Sequence, residues 1–166
     1  HIDLRDIKDN FIKLSRIMRT FYAIEDVMFS MLPEARRNSS YCYPLRSKFN
    51  FYDFYGSKLA NKFDEKLYQE TDKTIIADRK KQHGGSVRYR ACNFHSVFYR
   101  GTLEVRAHSS SQNPTKILRW IELLLKVIEW STTNFKQYQV EELLRMTATK
   151  KKVHKMKKFM LWQSFI

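Results

Sequence analysis

Glycine and proline are scarce, at four and three of 166 residues. That excludes collagen-like and low-complexity chains. The only two cysteines, Cys42 and Cys92, stand far apart and form no Cys-x-x-Cys pair. A disulfide framework and a zinc knuckle are therefore not expected, and free buried thiols of a reducing compartment are. No apolar run reaches the length of a membrane span, and a signal peptide is not expected. The GxxxxGK and GxGxxG phosphate loops, the GxSxG elbow and the HExxH zinc motif are all missing. Acidic residues are also few, 17 against 31 Lys plus Arg, which leaves a net charge of +14. Such a surplus favours an anionic partner: nucleic acid, nucleotide phosphate or an acidic surface.

What is present suits a globular fold. Apolar residues make up 43% and aromatics 14%, and a chain of this length can bury a core. From Leu4 to Leu32 the apolar positions recur at helical spacing, through Ile7, Phe11, Leu14, Met18, Phe21, Ile24, Val27, Met28 and Met31. One long helix over about 4–32 is expected, with Asp3 as its cap and Pro33 as its stop. Segments 59–71 and 140–146 read as shorter helices, and 72–82 fits a short helix or irregular chain. Asn113 followed by Pro114 opens a second long helix, to about 134, with a core face of Ile117, Trp120, Ile121, Leu124, Leu125 and Ile128.

Between these helices, Val87–Val97 and Thr102–His108 read as two strands of an antiparallel hairpin, with Gly101 in its turn. In a strand, alternate residues share a face. Thr102, Glu104, Arg106 and His108 thus fall opposite Leu103, Val105 and Ala107, and Asn93 and His95 share a face of the partner strand. A carboxylate on a rigid strand can hold a metal ion, and a neighbouring arginine can clasp phosphate or carboxylate in fork geometry. The bland alternative is an exposed strand face with a cross-strand ion pair. His1 and Asp3, two apart, could add to such a site, or be a terminus followed by a cap.

The loop RRNSSYCYPL, Arg36 to Leu45, carries more arginines and rings than a connector needs. Tyr41, Cys42 and Tyr43 are expected to pin it to the core, leaving Arg36 and Arg37 with little freedom to bind an anion. The alternative is that these arginines pair with Glu25, Asp26 or Glu34 at the helix end.

Taken in order, the segments HIDL, FYAIEDVMFSMLPEARRNSSYCYPL and RYRACNFHSVFYRGTLEVRAHSSSQNPTKILRWIELLLKVIEW resemble the amidoligase family. The likeness rests on His1, on Tyr22, Glu25 and Asp26, on the loop after Pro33, and on Asn93, Gly101, Thr102, Glu104, Arg106, Asn113, Pro114 and Trp120, and covers about residues 1–130. The family's Gly-x-Glu-x-Glu strand has no counterpart in this chain. Asp3 stands where a second His is common, and Ser109–Ser111 replace a Gly-Thr pair. The chain, opening on His1, therefore reads as a C-terminal portion of the family's domain.

The resemblance implies an α+β, glutamine-synthetase-like half-domain over residues 1–135, its antiparallel sheet including the 87–108 hairpin, and a C-terminal helix and basic tail over 136–166. It implies an ATP- and Mg²⁺-dependent ligase that joins a carboxylate to an amine through an acyl-phosphate. Glu104, Arg106 and Asn93 would be its catalytic residues, Glu104 and His1 its metal ligands, and Arg36 and Arg37 its nucleotide contacts. Small-molecule or peptide acids and amines would be the substrates. A cytoplasmic location is expected, in keeping with thiols of a reducing compartment, and it would be that of the host if the protein is phage-encoded, as members of the family often are. The competing reading is a catalytically degenerate or non-enzymatic basic protein that binds nucleic acid, through residues 149–158, or an acidic partner.

Overall fold

The computed structural model of the chain describes residues 1–47 and 89–134. The helices expected at 59–71 and 140–146, segment 72–82 and the basic tail lie outside them. The chain divides into two compact units, one of His1–Ser15 with Asn38–Arg106 and one of Arg16–Arg37 with Ala107–Ile166.

The first unit holds a three-stranded antiparallel sheet. Its strands are β1 (Ile2–Asp3), β2 (Cys92–Asn93) and β3 (Thr102–Val105), in the order β1-β3-β2. Ile2 pairs with Leu103 and Asp3 with Thr102, while Cys92 pairs with Val105 and Asn93 with Glu104. Leu103 and Cys92 are buried on the apolar side of this sheet, and Leu4, Leu14, Leu45, Phe94 and Val97 are buried in the same unit. The segment after β1 closes two turns, Ile7 N–H to Leu4 O and Asn10 N–H to Ile7 O.

The two segments of the expected hairpin do pair, but their connection is helical. A short helix α3 (His95–Arg100) stands where the strand was expected to run on to Val97. Over six residues an alternating apolar pattern fits either period, so pattern alone does not decide. Gly101 decides it locally. At φ +72° it takes the left-handed conformation, and its N–H caps the helix on Val97 O at 2.8 Å. Its own carbonyl accepts from Leu4 N–H at 2.8 Å, tying the turn to the end of β1. A Cβ at this position would fall on the Arg5 side chain. Gly101→Ala is expected to lower stability by about 1–2 kcal/mol from the backbone alone, measured as a drop in the urea midpoint. An unchanged midpoint would refute the left-handed turn.

The loop from Asn38 folds onto this unit. Tyr43 makes a parallel bridge to Arg90, donating to Tyr89 O at 2.7 Å and accepting from Ala91 N–H at 2.8 Å. Cys42 is fully buried, whereas the rings of Tyr41 and Tyr43 are exposed. The loop is thus pinned by its backbone and by Cys42 rather than by its tyrosines. The largely buried Arg90 reaches back to Pro44 O and the Ser47 hydroxyl, closing the 3-10 turn at Leu45–Ser47.

The long helix α1 (Phe11–Ser30) starts seven residues later than its periodicity suggested. Asn10, not Asp3, accepts from Lys13 N–H at 3.0 Å and caps it. Ile17, Phe21, Ala23, Ile24, Val27 and Met28 supply the buried residues of the second unit from α1, with Arg19 and Glu25 buried among the same turns. A helix covered on most sides behaves as a central core element.

In the same unit α4 (Pro114–Thr133) begins as expected, with the Asn113 carboxamide accepting from Lys116 N–H at 3.1 Å. Its buried residues are Leu124, Val127, Ile128 and Ser131. Ile117, Leu118, Ile121 and Leu125 are exposed, so the expected core face holds only in the second half of the helix. Among the described residues no helix is long and apolar enough to cross a membrane.

Candidate functional site

The polar face of the small sheet gathers most of the residues singled out from sequence. Glu104 stands at its centre, on the middle strand. Asn93 is its partner on β2, and one step beyond the Ile2–Leu103 pair the register sets His1 beside it on the other flank. Thr102 and Arg106, two residues to either side, share the face. The result is a cross of five side chains held by three strands.

The contacts follow from that layout. Glu104 Oε1 lies 3.0 Å from Arg106 Nη2, and Oε2 accepts from Arg106 Nη2 at 3.1 Å. Asn93 Nδ2 donates to Oε2 at 2.8 Å. Both side chains of the ion pair are largely covered, 21% exposed for Arg106 and 23% for Glu104. At such partial burial a charge-assisted pair is stronger than one in open water. A carboxylate can only accept, so the amide of Asn93 must present its nitrogen to Glu104. Its Oδ1 is then buried without a hydrogen-bond donor.

His1 completes the cross. Its Nδ1 is 2.9 Å from Thr102 Oγ1, and its Nε2 is 3.8 Å from Glu104 Oε1. Ser96 Oγ on α3 approaches Thr102 Oγ1 at 3.4 Å. Behind Arg106, the guanidinium carbon lies 5.7 Å from the centre of the Tyr89 ring, and Tyr41 meets that ring edge-on with centroids 5.3 Å apart. A cation over an aromatic face contributes roughly 0.5–1 kcal/mol, which restricts where Arg106 can turn. Tyr89 and Ser96 were not singled out from sequence. Nothing in local spacing marks them, because the loop bridge and the helical connection bring them in.

Asp3 is on the same face but differently engaged. Its carboxylate is clasped by Arg5, with Nε at 3.0 Å and Nη2 at 2.5 Å, and it also accepts from Arg5 N–H at 3.0 Å. The Arg5 side-chain hydrogen bonds pull its pKa from 3.8 down to about 2. A depressed carboxylate pKa adds stability that is full above 3.8 and is lost as pH falls through about 2. Asp3→Asn is therefore expected to lower the urea midpoint at pH 7 and to leave it nearly unchanged below pH ~2. A difference that persists below that pH would contradict the clasp.

Arg36 and Arg37 stand on α2 (Glu34–Arg37) in the second unit. Arg37 donates from Nε to Leu32 O at 2.8 Å and from Nη2 to Ser30 O at 3.1 Å, covering carbonyls at the end of α1. Arg36 donates from Nη2 to His108 O at 3.1 Å. Tyr22 and Glu25, also in that unit, are buried, and Asp26 is half-buried.

The cross supplies one carboxylate, one guanidinium, one oriented amide, one imidazole and one hydroxyl. No group of three His, Cys, Asp or Glu residues able to hold a metal occurs among the described residues. Mg²⁺ takes about six oxygens and keeps several from water and phosphate. Here both oxygens of Glu104 are already engaged, and an imidazole nitrogen is a poor Mg²⁺ ligand. These residues by themselves do not fit a Mg²⁺ cage. They fit an anionic or acyl group held by an arginine whose direction is fixed.

No curated protein and no solved structure matches the chain. Residues 1–128 match the family model described as "Putative amidoligase enzyme". With that match spanning most of its length, the chain belongs to the amidoligase family.

Proposed function

We propose that the protein takes part in ATP-dependent ligation of a carboxylate to an amine through an acyl-phosphate, on a glutamine-synthetase-like half-domain spanning residues 1–135. The observation that carries this reading is the fixed Glu104–Arg106 pair, with Asn93, on one face of a rigid sheet. In such a reaction the acid's oxygen attacks the γ-phosphorus and ADP leaves. The amine nitrogen then bonds to the acyl carbon as the C–O bond to phosphate breaks. Both steps move negative charge on oxygen, and catalysis of phosphoryl and acyl transfer is mostly positioning and charge stabilisation. Arg106 is the group to hold the phosphate or acyl-phosphate oxygens. Glu104 and Asn93 keep its guanidinium in place. Mg²⁺ would arrive on the nucleotide and neutralise phosphate charge.

The test is equilibrium binding of a non-hydrolysable ATP analogue to the full chain. Mg²⁺-dependent binding that drops at least tenfold in Glu104→Ala and in Arg106→Ala is expected. Binding that ignores both substitutions would sink the proposal. The +14 net charge supports a second reading, a basic protein that binds nucleic acid or an acidic partner. It predicts affinity that falls steeply with salt and is lost on deleting residues 149–158.

A further inference from the structure

The loop from Asn38 packs one residue fully inside and leaves a large ring outside. Cys42 is buried, while Tyr41 beside it is 61% exposed. The backbone around that ring is fixed. Tyr41 N–H donates to Ser39 Oγ at 3.3 Å, and Cys42 N–H donates to Ser39 O at 3.1 Å. Tyr43 then bridges to Arg90, which ties the loop to the chain just before β2. The Tyr41 ring is thus presented in one place with only two side-chain torsions left to order. A ligand that covers it costs little further freedom. The ring also lies beside the arginine read above as the phosphate holder. Arg106 Cζ is 5.7 Å from the centre of the Tyr89 ring, and the Tyr41 ring centre is 5.3 Å from the same point. The two tyrosines meet at 80°. A T-shaped contact takes up at most one face of a ring, so a face of Tyr41 stays open to solvent.

Resting on the ligase reading, we infer that Tyr41 is the stacking platform for the base of the nucleoside triphosphate whose phosphates Arg106 holds. Such a nucleotide carries a flat π-system at one end and negative charge at the other, with ribose and the phosphate chain between them. The face of a base stacks on an aromatic side chain whatever its edge carries. A guanidinium takes the charged end. An open ring and a fixed arginine, both against Tyr89, match those two ends. Tyr89 touches both and is a positioning residue. An acid substrate or a bare polyphosphate would engage Arg106 alone, whereas a nucleotide engages Arg106 and Tyr41 together.

The experiment measures equilibrium binding of two probes to the full chain, a non-hydrolysable ATP analogue and inorganic tripolyphosphate, each with Mg²⁺. The probes share their phosphates and differ in the nucleoside. Tyr41→Ala should weaken the analogue by about tenfold, the scale of one base–aromatic stack, and leave tripolyphosphate within about twofold. Unchanged tripolyphosphate binding also reports that the site is still folded. Tyr41→Phe keeps the ring and should bind the analogue as the wild type does. Arg106→Ala should weaken both probes. Equal loss of both probes in Tyr41→Ala would overturn the proposal, because the ring would then be a mere support for Arg106. Unchanged analogue binding in that variant would overturn it too. A loss in Tyr41→Ala seen only with a single-stranded oligonucleotide would move the ring to the nucleic-acid reading. A wild-type chain that binds neither probe would overturn the ligase reading itself.

Discussion

Removing either member of the Glu104–Arg106 pair is expected to lower ligase turnover by about 100-fold or more, the scale seen when one charge-stabilising donor is lost. Arg106 meets both oxygens of Glu104 at 3.0 and 3.1 Å, and Asn93 holds the same carboxylate at 2.8 Å. Truncating Glu104 removes the group that aims the fork, and truncating Arg106 removes the fork. If the two act as one device, the double variant should be little worse than either single one. Neighbouring residues of one network couple by roughly 0.5–3 kcal/mol, which a double-mutant cycle on turnover would read directly. Additive losses would show that Glu104 and Arg106 serve separate steps. Arg106→Lys should recover little, because an ammonium lacks the planar guanidinium whose Nη2 meets Glu104 while its central carbon sits over the Tyr89 ring.

The largest effect on stability is expected at Phe21. It is 1% exposed, among the largest of the fully buried side chains, in the middle of α1. Phe→Ala in a packed core costs about 3–5 kcal/mol, from lost burial plus the cavity left behind. Against a typical total of about 5–15 kcal/mol, that endangers the fold at body temperature. Leu118→Ala is the control. Leu118 is 65% exposed on α4, and its loss should fall within about 0.5 kcal/mol. Urea denaturation of both variants decides the matter: similar midpoints would mean that α1 is not the core element described.

Much of this was legible in the sequence because the signals were local. Asn113 followed by Pro114 specifies a helix start by hydrogen bonding and by a fixed φ, and no tertiary contact is needed to read it. The face shared by Thr102, Glu104 and Arg106 follows from the period of a strand. What escaped reading was decided across the chain. The apolar spacing from Leu4 on continues that of α1, yet Leu4 donates its N–H to Gly101 and ends β1 instead. His95–Arg100 carries strand-forming residues, yet a left-handed Gly101 closes it as a helix. On α4 the apolar stripe is continuous, but only Leu124 and its C-terminal neighbours are buried. Amphipathicity shows which face can be covered, not how far along the helix the cover extends. The arginines after Pro33 were expected either to project with little freedom toward an anion or to pair with carboxylates at the helix end, and their guanidinium groups donate to backbone carbonyls.

The two cysteines give the site its own reporter. Both are buried and in no disulfide, and Cys92 immediately precedes Asn93 on β2. A thiol so placed reacts with an alkylating reagent only when its surroundings open. The labelling rate of Cys92 thus measures how often the strand that steadies Glu104 comes away, and Cys42 does the same for the loop bridged to Arg90. Comparing the two rates, with and without nucleotide, would show whether occupancy tightens the sheet, the loop or both.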